Sequence, residues 1–463
     1  MPRARAFAPV PSRARSFRWW IPGAVLCAAL SAPALAQTAP LPADARGVPM
    51  GPVTMFPALA FDYSYNDNVF YVSQQDPAAI IPSGLYILEP KFLFDLPVGQ
   101  SDIRWTYGGL LRHYDSSGYV TASGNTGRRD DNSQRLEVDT SFHLGPSARL
   151  MFYDHLLKGT QELRSIDPGG EAVFGTIPFL FNDAALELQW DVSGRSGFSV
   201  RPQYSSTHFS EAANAVFYDY ATTGLEGRYN HRLSPETTLY VSYGQQTTSQ
   251  SRVGTSLFSD VTVDTQRTGV GLTRTVNRAV TARAYLGYAH LDFTGGAPSN
   301  FSGIVADLGA GWLLTDVLRL DVSLRQEPYQ SFYINNNYYV NSMADVHVTR
   351  QLGQKVLLRG GLGFEQNDYS DPLQVSPAFQ SLLCSANDPT DCPSQGVFRR
   401  DRVVRYEAAV AYQLRPAMRW SVGYNHESRD SNVVHWLFDP GTFYDPFDYR
   451  VGRFFVRLEM GWM

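Results

Sequence analysis

Two triplets in this sequence carry the side chains of a hydrolase, His208-Phe209-Ser210 and His426-Glu427-Ser428. On an extended strand residues i and i+2 share a face, so each triplet would set an imidazole base beside a hydroxyl nucleophile. A working triad also needs a third group to orient the imidazole, and the sequence names none for either triplet. With nine His in the chain and many Ser, such pairs also arise by chance. The acidic stretches "RRDDN" and "DPGTFYDPFDYR" offer oxygen ligands to Ca²⁺ but lack the ordered spacing of a calcium loop. Cys384 and Cys392, in "CSANDPTDC", are expected to form one disulfide in an exported chain, since a zinc site would need further ligands nearby.

Far more numerous are charges set at every second position. Leu318, Leu320, Val322 and Leu324 alternate with Arg319, Asp321, Ser323 and Arg325. The same period runs through Leu186–Val192, Val404–Tyr412 and Phe454–Trp462, each with one apolar face and one charged face. A two-sheet sandwich also alternates, so length must decide. These runs last about 10–14 residues, against ~5–6 for strands of soluble sheets. They suit the ~9–11 tilted residues that cross a bilayer.

The connections are of two kinds. Tight turns at 96–102, 145–148, 192–196, 232–236, 275–279, 314–317, 352–355 and 415–418 alternate with longer polar loops. Those loops fall at 66–83, 116–131, 165–182, 211–217, 251–260, 293–301, 331–338, 370–400 and 431–448. Eight turns and nine loops predict eighteen strands, with sixteen as the alternative count because the period blurs near 149–164 and 261–275. An even count leaves both barrel ends on the turn side. The expected fold is an all-β transmembrane antiparallel barrel over 53–463, with short periplasmic turns and long external loops. Trp190, Trp312, Trp420 and Trp462 fall on the apolar face near turns, where an interfacial girdle belongs.

Residues 1–36 read as a signal peptide: five Arg, an apolar stretch from Ile21 to Leu30, and Ala34-Leu35-Ala36 before Gln37. Their removal would leave a formal charge of −10, which argues against nucleic acid as a partner. Residues 37–52 read as a flexible periplasmic lead. The inward-facing candidates are Arg104, Arg135, Glu137, Asp139, Glu187, Asp191, Arg319, Asp321, Arg325, Arg359, Glu365, Arg405, Glu407, Arg457 and Glu459, with Arg112, Arg201 and Asp307. The two signs nearly balance, so no strong anion or cation selection follows from the list. Pairs such as Arg319/Asp321 and Arg405/Glu407 would suit a cross-lumen ladder of ion pairs. The basic side chains are nearly all Arg, which suits carboxylates and sugar hydroxyls.

Phe61 to Phe70, with its Asp67-Asn68-Val69-Phe70 corner, and "EPKFLFDLPVGQSDIRWTYGGLLRHY" at 89–114 resemble the start of the β-barrel porin type 2 family. The resemblance implies an outer-membrane barrel of a Gram-negative bacterium, often found beside exopolysaccharide or capsule assembly systems. It implies no catalytic residues and no cofactor. Met463, out of phase after Trp462, departs from the terminal Phe usual in such barrels. The expectation is thus a channel, either the outer-membrane component of exopolysaccharide export or a porin-like passive pore. A general diffusion porin and a membrane-embedded lipid hydrolase are the alternatives. The expected partners are outer-membrane lipid and lipopolysaccharide, polysaccharide, export-system proteins and further copies of the chain.

Overall fold

The computed structural model describes residues 47–69, 80, 82–115, 119–120, 126–127, 131–160, 178–209, 219–251, 261–276, 279–295, 299–331, 336–372, 396–433, 436–439, 442–444 and 448–461. The expected signal peptide, most of the lead, Ser210, Cys384, Cys392 and Trp462 lie outside them. Eighteen long strands build the molecule. They are β1 Val53–Asn66, β2 Ser83–Val98, β3 Ser101–Tyr114, β4 Asp131–His143, β5 Ala148–Gly159 and β6 Phe179–Asp191. Then come β7 Ser196–Phe209, β8 Asp219–Ser234, β9 Thr237–Ser251, β10 Val261–Val276, β11 Val280–Thr294 and β12 Phe301–Thr315. The last are β13 Leu318–Gln330, β14 Tyr338–Leu352, β15 Val356–Pro372, β16 Phe398–Arg415, β17 Met418–Ser431 and β18 Tyr449–Gly461.

Each strand pairs antiparallel with its neighbours in sequence, and β18 pairs with β1 from Ala58↔Gly461 to Asn66↔Arg453. The sheet is therefore closed, as the turn count predicted. No helix among the described residues is long and apolar enough to cross a membrane. Gly99 and Gly353 make two of the tight turns possible, both at φ +63°, a left-handed conformation costly for any residue with a Cβ. The two segments with blurred period are the regular strands β5 and β10. On β5 the inner face carries Met151, Tyr153 and Leu157, so both faces are apolar. On β10 the usual pattern inverts toward the loops, where Thr262, Asp264, Gln266 and Thr268 face outward while Val261 and Val263 are buried on the inner face.

Large apolar side chains such as Leu88, Tyr107, Leu188, Trp190, Leu286, Ile304, Leu362, Val410 and Trp420 are exposed on the outer face, toward lipid. Inside, aromatic rings lie flat against the wall where a neighbouring strand has glycine. A Cβ on Gly271 would stand 2.3 Å from the Tyr240 ring, and one on Gly269 2.6 Å from the Tyr285 ring. Both tyrosines are buried against the sheet instead of projecting into the lumen.

The seam between first and last strand is secured by the Asn66-Asp67-Asn68 corner. Asp67 N donates to Gly452 O (3.1 Å), and Gly452 N donates to Asp67 Oδ1 (2.7 Å). Asn68 N donates to Asn66 Oδ1 (2.9 Å) and Asn68 Nδ2 to Arg450 O (3.2 Å). Below them the Arg453 guanidinium meets Asp62 at 3.0 Å. At the turn end β18 stops short, and a three-residue strand, Val48–Met50, pairs with Val53–Met55 to cover that edge. The end of the expected flexible lead is thus part of the sheet, because an uncovered strand edge leaves its amides without partners.

An Asp67→Ala variant loses the acceptor for Gly452 N and is expected to weaken the seam by about 1–3 kcal/mol. Heat-modifiable gel migration should show it opening at lower temperature, while Asp67→Asn, which keeps an oxygen acceptor, should track the parent.

Candidate functional site

The inner face is where the fold collects polar chemistry. Register places every inward candidate opposite the rows of exposed apolar side chains. Arg104 stands opposite Asp139, Arg319 opposite Thr349, and Arg359 opposite that same Thr349. Arg104 bonds Asp95 at 2.9 Å, Arg135 lies 3.5 Å from Glu137, and Gln189 Nε2 donates to Glu187 at 2.9 Å. Asp191 closes β6 at the turn end. Arg319 grips Asp321 through both Nε and Nη2, while Arg325 lies over the Tyr329 ring at 5.9 Å. Arg457 joins Glu89 (2.8 Å) to Glu459 (3.0 Å).

The expected cross-lumen ladder is corrected by this geometry. Among the described residues ion pairs stay on one stretch of wall, within a strand or at most three strands away: Arg405 bonds Glu365 on β15 at 2.8 Å and not Glu407, and Arg267 of β10 reaches Glu327 of β13 at 3.0 Å. Glu407 instead faces His347 of β14 at 3.3 Å. The reason is width, since an eighteen-strand wall puts the far side beyond the reach of any side chain.

Sequence reasoning missed the strongest cluster, at the loop end of β15–β17. Asp401 sits between Arg399 (2.7 Å) and Arg429, and Arg399 stacks on the Tyr369 ring at 4.3 Å. These three charged side chains are 2%, 0% and 1% exposed for Arg399, Asp401 and Arg429. Period two marks such residues as inward-facing but says nothing of which neighbour they meet or how deeply they are covered.

Burial on the inner wall is graded. Near the loops it is buried around the ring, from Tyr114 and Phe179 through Phe209 and Val261 to Tyr339 and Tyr449. Toward the turns the β11–β14 sector faces water, with the His347 side chain 50% exposed and Arg319 53%, while Phe56, Leu93 and Tyr240 are buried on other strands. Two recesses open on the inner wall. One, of about 570 Å³, is lined by Asp345, His347, Gly361, Arg405, Glu407 and Asn425, among others. The second, of about 420 Å³, is lined by Thr273, Thr281, Arg283, Gly311, Arg319 and Asp321, with His347 common to both.

His208, His426 and Ser428 lie on the outer face. His208 Nδ1 bonds Asp219 across the β7–β8 pair, an orienting partner that the sequence could not name. Ser210 lies outside the described residues. His426 stacks on Tyr406 (4.7 Å between centroids) with Nδ1 3.5 Å from the Tyr424 hydroxyl, and Ser428 stands opposite Arg450. In the acidic stretches, Asp131 bonds Arg112 at 3.0 Å and Asp448 accepts from Ser431 N at 2.6 Å. Among the described residues no three His, Cys, Asp or Glu are grouped to hold a metal.

The FrpB iron transporter of Neisseria meningitidis (F5-1 variant) aligns over 90% of this chain and 82% of its own, with TM-score 0.48 and 8% identity. OccK1 (OpdK) of Pseudomonas aeruginosa aligns over 88% and 99%, with TM-score 0.45 and 12% identity. The siderophore receptor PirA of the same organism aligns over 88% and 80%, with TM-score 0.40 and 10% identity. No curated protein matches the chain by sequence. The model of the family described as "Putative beta-barrel porin 2" matches residues 192–440, more than half of the chain and C-terminal to the Phe61–Tyr114 stretch, and the protein belongs to that family.

Proposed function

We propose that this outer-membrane β-barrel is a non-enzymatic channel serving as the outer-membrane component of exopolysaccharide export. The observation that carries this reading is the gradient along the inner wall of β11–β14, wetted toward the periplasmic turns and buried toward the external loops. A general diffusion pore needs a wetted wall along its whole length, because solute must cross from end to end without help. A vestibule that is open to the periplasm and narrowed outside suits cargo delivered from within. The resemblance of the Phe61–Tyr114 stretch to barrels accompanying polysaccharide assembly supports the same direction of traffic.

A second reading rests on the His208–Asp219 pair at the outer face, an acid–base pair for which Ser210, two residues on in sequence, would be the nucleophile. Folded protein in phospholipid micelles would release fatty acid on this reading, and Ser210→Ala would abolish the release. A parent protein that releases none excludes it.

Deleting the gene in its host is expected to leave polymer in the periplasm with small-solute uptake unchanged. Normal secretion with impaired uptake would instead establish a diffusion porin. Asp401→Asn removes the carboxylate shared by two buried guanidiniums, a loss of roughly 3–5 kcal/mol. It is expected to lower the urea midpoint and to raise single-channel conductance above that of the parent, measured in planar bilayers.

A further inference from the structure

Net balance of charge in the list of inward residues conceals their distribution. On β8–β13, near the turns, one register row runs Arg232↔Thr238↔Thr273↔Arg283↔Gly309↔Ser323. It holds two guanidiniums and three hydroxyls, and it meets its first carboxylate only at Asp345 on β14. Neither Arg232 nor Arg283 makes an ion pair among the described residues. Gly309, next to Arg283, has no side chain to cover the guanidinium. The carboxylates nearby are otherwise placed: Asp321 is gripped by Arg319, Asp307 is buried, and Asp191 shares a recess with Arg232 without pairing to it. On another sector the row Asp102↔Ser141↔Met151↔Glu187 holds two carboxylates before the register reaches Arg201 on β7, and Arg149 donates to Ser141 from beside it at 2.6 Å.

From this segregation we infer that the β8–β13 wall is a binding track for carboxylated sugar units, centred on the recess of about 420 Å³ at Arg283. The inference rests on the glycan-export reading and specifies the class of glycan. Guanidinium offers a carboxylate two parallel hydrogen bonds, and Thr273, Thr281 and Ser323 supply donors and acceptors for sugar hydroxyls. The recess falls within the roughly 300–1,000 Å³ of ordinary ligand pockets. Screening makes the segregation matter. At physiological salt the Debye length is about 8 Å, shorter than a lumen of this width, so each wall acts on a permeant separately and their charges do not cancel.

The test is calorimetric titration of the folded protein in detergent with trigalacturonate and, separately, maltotriose. Trigalacturonate is expected to bind with an affinity that falls as salt rises, and maltotriose to bind more weakly. The double variant Arg232→Gln/Arg283→Gln should weaken trigalacturonate about tenfold or more, as for loss of charge-assisted hydrogen bonds. Asp102→Asn/Glu187→Gln, on the other sector, should leave it unchanged, and heat-modifiable migration should show both variants folded. Equal binding of the two sugars, or an unchanged Arg double variant, overturns the acidic-glycan track while leaving glycan export standing. Binding of neither sugar overturns both.

Discussion

Everything in this molecule depends on closure of the sheet. In hydrocarbon no water can satisfy an amide, so the first and last strands must find each other or leave an edge that costs several kcal/mol for each unpaired group. The chain meets this constraint at residues almost four hundred apart, where Asp67 and Gly452 exchange two hydrogen bonds and Asn68 reaches the Arg450 carbonyl. The Asn66-Asp67-Asn68 corner is therefore both the exit of the first strand from lipid and the fastener of the barrel. The short strand Val48–Met50 meets the same demand at the other end of the seam.

Closure divides side chains into those that face lipid and those that face the lumen, and the two sides obey different rules. Outside, Leu, Val, Tyr and Trp are exposed because the medium is apolar. Inside, a charge can stay in water or take a partner on its own or a nearby strand, and the wall does both. Arg405–Glu365 ties neighbouring strands together and Arg457–Glu89 reaches across β1 from β18 to β2, whereas Arg283 and Arg359 stand in the lumen. Tyrosines that would narrow the passage are folded onto glycines, as Tyr240 is onto Gly271. The wall is thus kept low at such places and is most crowded near the loops.

That asymmetry connects the fold to the proposed traffic. The buried Arg399–Asp401–Arg429 cluster lies at the end where a polymer would leave, and the recess at Arg283 lies toward the end where it would arrive. A conduit of this shape needs no catalytic group, and its selectivity resides in which charges occupy each sector of the wall.

Much of this was legible in the sequence, because period two and the alternation of short and long connections are local properties. They were enough for eighteen strands, for the sense of each face, and for the inward placement of residues such as Glu187, Arg359 and Glu459. Locality also marks where the reading failed. β5 blurred because apolar side chains stand on both its faces and β10 because its polar residues face outward near the loops, and the pairing of Arg405 was missed because Glu407 is nearer in sequence while Glu365 is nearer in space. Asp219 could not be assigned to His208, nor Arg429 to Asp401, since a loop or a full hairpin separates them. Strand register, set by closure of the whole ring, aligns Arg232 with Arg283 and gathers Asp102 with Glu187. The sequence by itself determined which residues face the lumen, because a strand turns alternate side chains to opposite sides. Only the tertiary structure decided which of them stand together, because that depends on the stagger of eighteen strands around a closed barrel.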